Sequence, residues 1–204
     1  MKCFSKFCYR LFKSLYPFTV YGKENITEGG AVFVCNHYSF IDCLFLHNIA
    51  EGNCNILSKK ELFKNKLIAS VIKDFGAVPI DRDNPDIASL LTCVKALKSG
   101  RKLLLFPEGT RNKTKSKEML ELKGGSAIFA VKAKKPIVPI MIYKKARIFR
   151  KTYLLIGKPF ELTDFYDKKI DDKLIAEMDN LIRKKMVEVQ DDLYEMMENK
   201  KKKK

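Results

Sequence analysis

The sequence predicts an α/β fold: a mostly parallel central sheet flanked by helices, with an N-terminal amphipathic helix and a long C-terminal helix. Two observations predict it. Short apolar runs without polar alternation recur along the chain, as in strands covered on both faces, and they are separated by segments of helical periodicity. The balance is also that of a folded domain. Of 204 residues, 46% are hydrophobic and 31% charged, which excludes a disordered or fibrous chain.

Residues 2–16 come first. Cys3, Phe4, Phe7, Cys8, Leu11, Phe12 and Leu15 follow the i, i+3, i+4, i+7 spacing of a helix with one apolar stripe. Lys2, Lys6, Arg10 and Lys13 lie off the stripe, and Pro17 ends the segment. The pattern fits a helix packed on the domain, and equally one lying in a membrane interface with aromatics towards the acyl chains and cations towards the headgroups. The organisation expected is a membrane-interface helix over 1–18, a core over 19–165, and a C-terminal helix with a basic tail over 166–204.

Strands are predicted at 31–35, 55–58, 77–80, 102–106, 137–142 and 153–156. Helices are predicted at 39–49, 62–73, 86–98, where Gly100 follows as a stop, and 125–134. Residues 170–198 read as one helix with the stripe Ile170, Leu174, Met178, Leu181, Met186, Val189, Leu193 and Met196. No apolar run reaches the roughly 18 to 20 uncharged residues of a membrane span. The least charged stretch, 29–50, carries Asn36, His37, Asp42, His47 and Asn48 and reads as buried core.

Lys+Arg number 40 against 24 Asp+Glu, a net charge of +16. Partners are therefore expected to be anionic: nucleic acid, an acidic membrane surface, phosphorylated metabolites or an acidic carrier protein. The six cysteines are irregularly spaced without a C-x-x-C pair, the pattern of free thiols in a reducing compartment.

Four motifs carry chemistry. His37 follows a predicted strand, where α/β proteins place reactive groups, and Asp42 comes five residues later. If the chain turns into a helix there, the carboxylate folds back and fixes the imidazole tautomer, leaving the other nitrogen to accept a proton. Phe106-Pro107-Glu108-Gly109-Thr110-Arg111 also ends a strand. Gly109 permits a tight turn, Thr110 and Arg111 are phosphate donors, and Glu108 can orient Arg111 or a substrate hydroxyl. Gly76 to Arg82 places an arginine at a third strand end, and Val138, Pro139 and Ile140 are an apolar run suited to a pocket wall.

In this order, His-x-x-x-x-Asp, Gly-x-x-x-Ile-Asp-Arg, Phe-Pro-Glu-Gly-Thr-Arg and Val-Pro-Ile, the motifs resemble the glycerolipid acyltransferase family, in particular the 1-acyl-sn-glycerol-3-phosphate acyltransferases. The resemblance covers about residues 21–160, and Lys59-Lys60-Glu61-Leu62 is similar to the family's Lys-x-Glu-Leu element. It implies transfer of a fatty acyl group from acyl-CoA or acyl carrier protein to the sn-2 hydroxyl of lysophosphatidic acid, giving phosphatidic acid. Glycerol 3-phosphate or another lysophospholipid is the alternative acceptor. It implies His37 as general base, Asp42 as its partner, and Arg82, Glu108, Gly109, Thr110 and Arg111 as the glycerol-phosphate site. Val138, Pro139 and Ile140 would line acyl space, and neither metal nor cofactor is required. Many members of the family carry transmembrane helices. Here residues 2–16 would take their place, putting the enzyme on the cytoplasmic face of the cell membrane as a peripheral, monotopic protein.

Three rival classes have weaker support. A nucleic-acid binder suits the charge and the eight basic residues between 132 and 151, but no recognition pattern accompanies them. Cys35, His37, Cys43 and His47 match no common zinc spacing. A hydrolase lacks Gly-x-Ser-x-Gly, although Ser39, Cys35 and Cys43 lie near His37.

Overall fold

The computed structural model describes residues 12–80, 87–114, 118–123 and 125–203. Its centre is one seven-stranded sheet of β1 (Phe18–Tyr21), β2 (Ala31–Cys35), β3 (Cys54–Lys59), β4 (Ala77–Ile80), β5 (Lys102–Leu105), β6 (Ile137–Ile142) and β7 (Thr152–Ile156), in the order β1-β7-β6-β2-β5-β3-β4. Every neighbouring pair is parallel except β6 and β7. Among the described residues, 12–15 are helical and five further helices accompany the sheet: α1 (Asp42–Ile49), α2 (Lys66–Asp74), α3 (Ile87–Lys98), α4 (Ser126–Ala133) and α5 (Asp172–Lys202).

The unalternating runs of β2, β5 and β6 are buried on both faces, whereas β3 and β7 bury only part of their residues and the edge strand β4 is half-buried. In β2, Val32 and Val34 join the core under α3, α4 and α5, while Phe33 and Cys35 join the core under α1. All five residues of β2 are buried, and β5 and β6 flank it on either side.

Differences from the sequence reading have local causes. The strand β1 was not predicted: its four residues are half-buried and pair on one side only, with β7. The helix expected over 39–49 begins at Asp42, because residues 38–41 form a turn. The helix expected over 62–73 is split. Residues Lys60–Phe63 are 3-10, and Asn65 then caps α2 by accepting from the N–H groups of Leu67 and Ile68.

In α5 the buried stripe is Met178, Ile182, Met186, Val189, Leu193 and Met197. Met178, Met186, Val189 and Leu193 are buried as expected, but Leu181 and Met196 are exposed and their neighbours Ile182 and Met197 take their places in the core. These buried residues belong to the same core as β2, β5 and β6.

At the N-terminal end Phe12 is buried against Phe45 and Phe18, with ring centroids 5.3 and 6.3 Å away. Residues 1–11, most of the predicted amphipathic helix, lie outside the described residues, as does Arg82. Among the described residues, no helix is long and apolar enough to cross a membrane.

Candidate active site

The carboxyl ends of β2 and β5 are adjacent, and the chain turns sharply after each. Asn36 extends β2 by one residue. Its side-chain amide donates to the Ile142 carbonyl at 3.0 Å and accepts from the Ile142 N–H at 2.8 Å, standing in for a strand peptide. That fixes the point where His37 leaves the sheet.

His37 is then held on every side. Its N–H donates to Glu108 Oε1 at 3.1 Å, and its carbonyl accepts from the Asn112 N–H at 2.6 Å. Its ring stacks on Phe106 at 4.0 Å between centroids, and its Nδ1 lies 3.0 Å from Asp42 Oδ2.

Asp42 is fully buried as the first residue of α1, where a carboxylate suits the positive end of the helix. Besides the imidazole it accepts from the N–H groups of Tyr38 and Ser39 at 2.6 and 2.7 Å and from Ser39 Oγ at 3.1 Å. The four residues between His37 and Asp42 are thus one turn, and the carboxylate gathers the N–H groups of its first two residues. An acceptor so surrounded requires the imidazole proton on Nδ1 and leaves the Nε2 lone pair free to take a proton. Nε2 has no hydrogen-bond partner among the described residues, and the side chain is 14% exposed.

The second turn carries the polar groups of the Phe106–Arg111 motif. Gly109 has φ +64°, the left-handed conformation that glycine adopts without strain, and its N–H closes the turn on the Phe106 carbonyl at 2.9 Å. Thr110 and Arg111 are exposed, and the Arg111 guanidinium lies over the Phe40 ring at 4.6 Å. An aromatic face beneath a guanidinium steadies the cation while its edge stays free for a bidentate anion.

Glu108 is placed differently from the sequence reading. It is 1% exposed, with Oε1 on the His37 N–H and Oε2 on the Leu120 N–H at 3.1 Å. Burial pushes its pKa up, and the two backbone donors pull it partly back. The carboxylate ties the two turns together rather than reaching Arg111 or open space.

Val138, Pro139 and Ile140 are likewise corrected. They are the middle of β6, between β2 and β7, with Val138 and Ile140 at 0% exposure. They are core, because a central strand has no free face with which to line a channel.

The rival chemistries find no geometry here. Ser39 Oγ gives its hydrogen to Asp42, not to the imidazole. Burial, followed by the nearby Asp42 carboxylate, pushes the Cys43 thiol up to about 12 and the Cys35 thiol well above its ordinary value. Neither is a ready thiolate. His47 is a packing residue, 3.3 Å from Cys54 Sγ and edge-on to Phe75 at 4.9 Å, with its pKa lowered by burial and then by Arg101. Among the described residues no group of three or more metal-ligating side chains converges.

Three supports escaped the sequence reading: Asn36, Asn112 and Arg183. Asn112 Nδ2 donates to the Glu118 carbonyl at 2.9 Å. Arg183, on α5, donates to the carbonyls of Leu120 and Met119 at 2.8 and 3.3 Å. The segment that carries the Leu120 N–H to Glu108 is therefore pinned from behind. Between that segment and α5 lies a cavity of about 520 Å³ lined by Leu122, Asp179 and Arg183 among others, and by no residue of the His37 turn. An arginine that secures backbone carbonyls has no motif in sequence.

Comparison with known proteins identifies the family. The family model described as Acyltransferase matches residues 17–143. A 1-acyl-sn-glycerol-3-phosphate acyltransferase of Bacillus subtilis is 32% identical over 206 residues, covering 94% of this chain and 99% of that protein. One from Helicobacter pylori is 36% identical over 65% of this chain and 54% of its own length. Among solved structures, the 1-acyl-sn-glycerophosphate acyltransferase PlsC from Thermotoga maritima superposes with a TM-score of 0.66 at 26% identity, covering 91% of this chain and 77% of that one. With the family model spanning well over half the sequence and both motif turns inside the matched region, the chain belongs to the acyltransferase family.

Proposed function

We propose that this protein acylates the sn-2 hydroxyl of lysophosphatidic acid, producing phosphatidic acid for phospholipid synthesis. The carrying observation is the His37–Asp42 pair at 3.0 Å beside the exposed Thr110 and Arg111, on adjacent strand ends. The names of the relatives above support the acceptor.

The acceptor hydroxyl is a poor nucleophile until its proton leaves. His37 Nε2 takes that proton as the hydroxyl oxygen attacks the thioester carbonyl of the donor, acyl-CoA or acyl carrier protein. The resulting imidazolium is stabilised by Asp42. Collapse of the tetrahedral intermediate breaks the C–S bond, and the imidazolium proton goes to the departing sulfur. Arg111 and Thr110 hold the acceptor phosphate, and Gly109 gives their turn its shape. Glu108 and Asn112 keep the base in place. Charge attracts the protein to anionic bilayers at the cytoplasmic face, where the acceptor resides.

The test combines purified protein, lysophosphatidic acid vesicles and labelled palmitoyl-CoA, or the matching acyl carrier protein, beside two variants. Wild type is expected to yield labelled phosphatidic acid. H37A should yield none above background while keeping its fold, a loss of at least the 10²- to 10⁴-fold typical of a positioned base. R111A should raise KM for the acceptor with a smaller change in kcat. Near-full turnover by H37A would remove the mechanism, and absence of product with both donors would remove the acceptor.

A further inference from the structure

The loop joining β6 to β7 is not absorbed by the chemistry above. Residues 144–151 are Lys-Lys-Ala-Arg-Ile-Phe-Arg-Lys: five cations, no acid and two large apolar residues. Ala146 is buried and anchors the loop, while the other seven are exposed. Ile148 and Phe149 stand at the tip at 55% and 76% exposure. The tip is a tight reversal, with the Arg150 N–H on the Arg147 carbonyl at 3.1 Å and Phe149 in the left-handed region at φ +57°. A phenylalanine adopts that conformation at a cost, here held by its N–H on the Leu15 carbonyl at 2.7 Å.

Position matters as much as composition. β6 runs parallel to β2, and Ile142 at its end holds Asn36. The loop therefore leaves the sheet at the edge that carries His37. Among the described residues none of the five cations is ion-paired.

We propose that residues 144–151 form a finger that contacts an anionic lipid bilayer, with Ile148 and Phe149 entering the interface and the five cations resting on the headgroups. Charge complementarity selects this occupant. An apolar tip inside an unpaired cationic collar matches the headgroup boundary, where apolar side chains are buried while cations meet phosphate. Contact here would set the His37 edge towards the lipid that supplies the acceptor. The inference rests on the proposed lipid acceptor for its purpose, but on residues outside the catalytic machinery.

The chain has no tryptophan, so F149W places one fluorophore at the tip. Ser99, exposed before β5 at the opposite sheet edge, gives the control S99W. With phosphatidylglycerol vesicles, F149W emission should shift to the blue and be quenched by brominated acyl chains, while S99W should not respond. The double variant I148E/F149E should bind vesicles about tenfold or more weakly, and K144A or R150A about fivefold each at low salt. The double variant should keep wild-type turnover on detergent-dispersed acceptor.

Unshifted emission from F149W that cosediments with vesicles would overturn the finger. So would a shift that needs no lipid and grows with protein concentration, which assigns the tip to a second copy of the chain. A lipid-dependent shift without turnover would leave the finger standing and remove the acyl-transfer reading instead.

Discussion

Replacing Glu108 by glutamine distinguishes a structural tie from a substrate contact. The native carboxylate serves two backbone donors 3.1 Å away, one on His37 and one on Leu120, from a site 1% exposed. Glutamine has one carbonyl oxygen, so its amide nitrogen must face one of those N–H groups. A hydrogen bond to a charged group contributes about 1.5–3 kcal/mol, and a stranded buried donor costs about 1–3 kcal/mol. Burial already disfavours the charged form of Glu108, so a neutral side chain recovers part of this. The net expectation is a loss of about 2 kcal/mol. For a chain of this size that lowers Tm by roughly 4–8 °C.

Activity should follow geometry. Release of the His37 backbone displaces the base, and small misplacements of a catalytic group cost up to about 100-fold in rate. Thermal melts and steady-state kinetics at varied acceptor concentration provide the assay. The expected signature is a lower Tm and lower kcat with unchanged acceptor KM. A wild-type Tm with KM alone raised would refute this reasoning and place the carboxylate on the substrate.

Two further predictions concern other buried carboxylates. D42N presents an amide where Tyr38, Ser39 and His37 all offer donors, forcing the wrong imidazole tautomer. kcat should fall on the order of 10⁴-fold, as in triads that lose their aspartate, and a loss under about tenfold would contradict the assigned pairing. Asp179 is 8% exposed, and burial raises its pKa from 3.8 to about 6 despite a bond from the Gly125 N–H. The folded chain thus keeps a proton that the unfolded chain releases between about pH 4 and 6, so this group costs stability as pH rises through that window and its cost is constant above it. D179N should be more stable than wild type by about 1–3 kcal/mol at pH 7.5, with the difference largely gone near pH 4. Urea melts at both pH values test this, and a pH-independent difference would exclude the titration.

Legibility in the sequence followed how local the cause was. The runs of β2 and β6 are read at their observed bounds because double-sided burial leaves one signal, unbroken apolarity; β4, a half-buried edge strand, is read from the apolar run 77–80 alone. β1, Phe18–Tyr21, is missed because Thr19 interrupts it and it directly follows Pro17, so it presents no unbroken apolar run. His37 and Asp42 were found because one turn spans them, although that turn is not the first turn of a helix as expected. Glu108 was found as a motif member but given the wrong neighbours, since its partners are backbone N–H groups.

Sequence alone therefore determined the α/β class, the pairing of His37 with Asp42, and the placing of Thr110 and Arg111 on one turn: the last two depend on residues close along the chain, where spacing fixes contact. Tertiary structure alone decided that Val138 and Ile140 are core, that Asn36 splices His37 onto β6, and that Arg183 braces the Leu120 segment 63 residues away. It alone brought the 144–151 loop to the sheet edge that carries His37. Such contacts join segments that the chain separates widely, and only the order of strands in the sheet brings them within reach of one another.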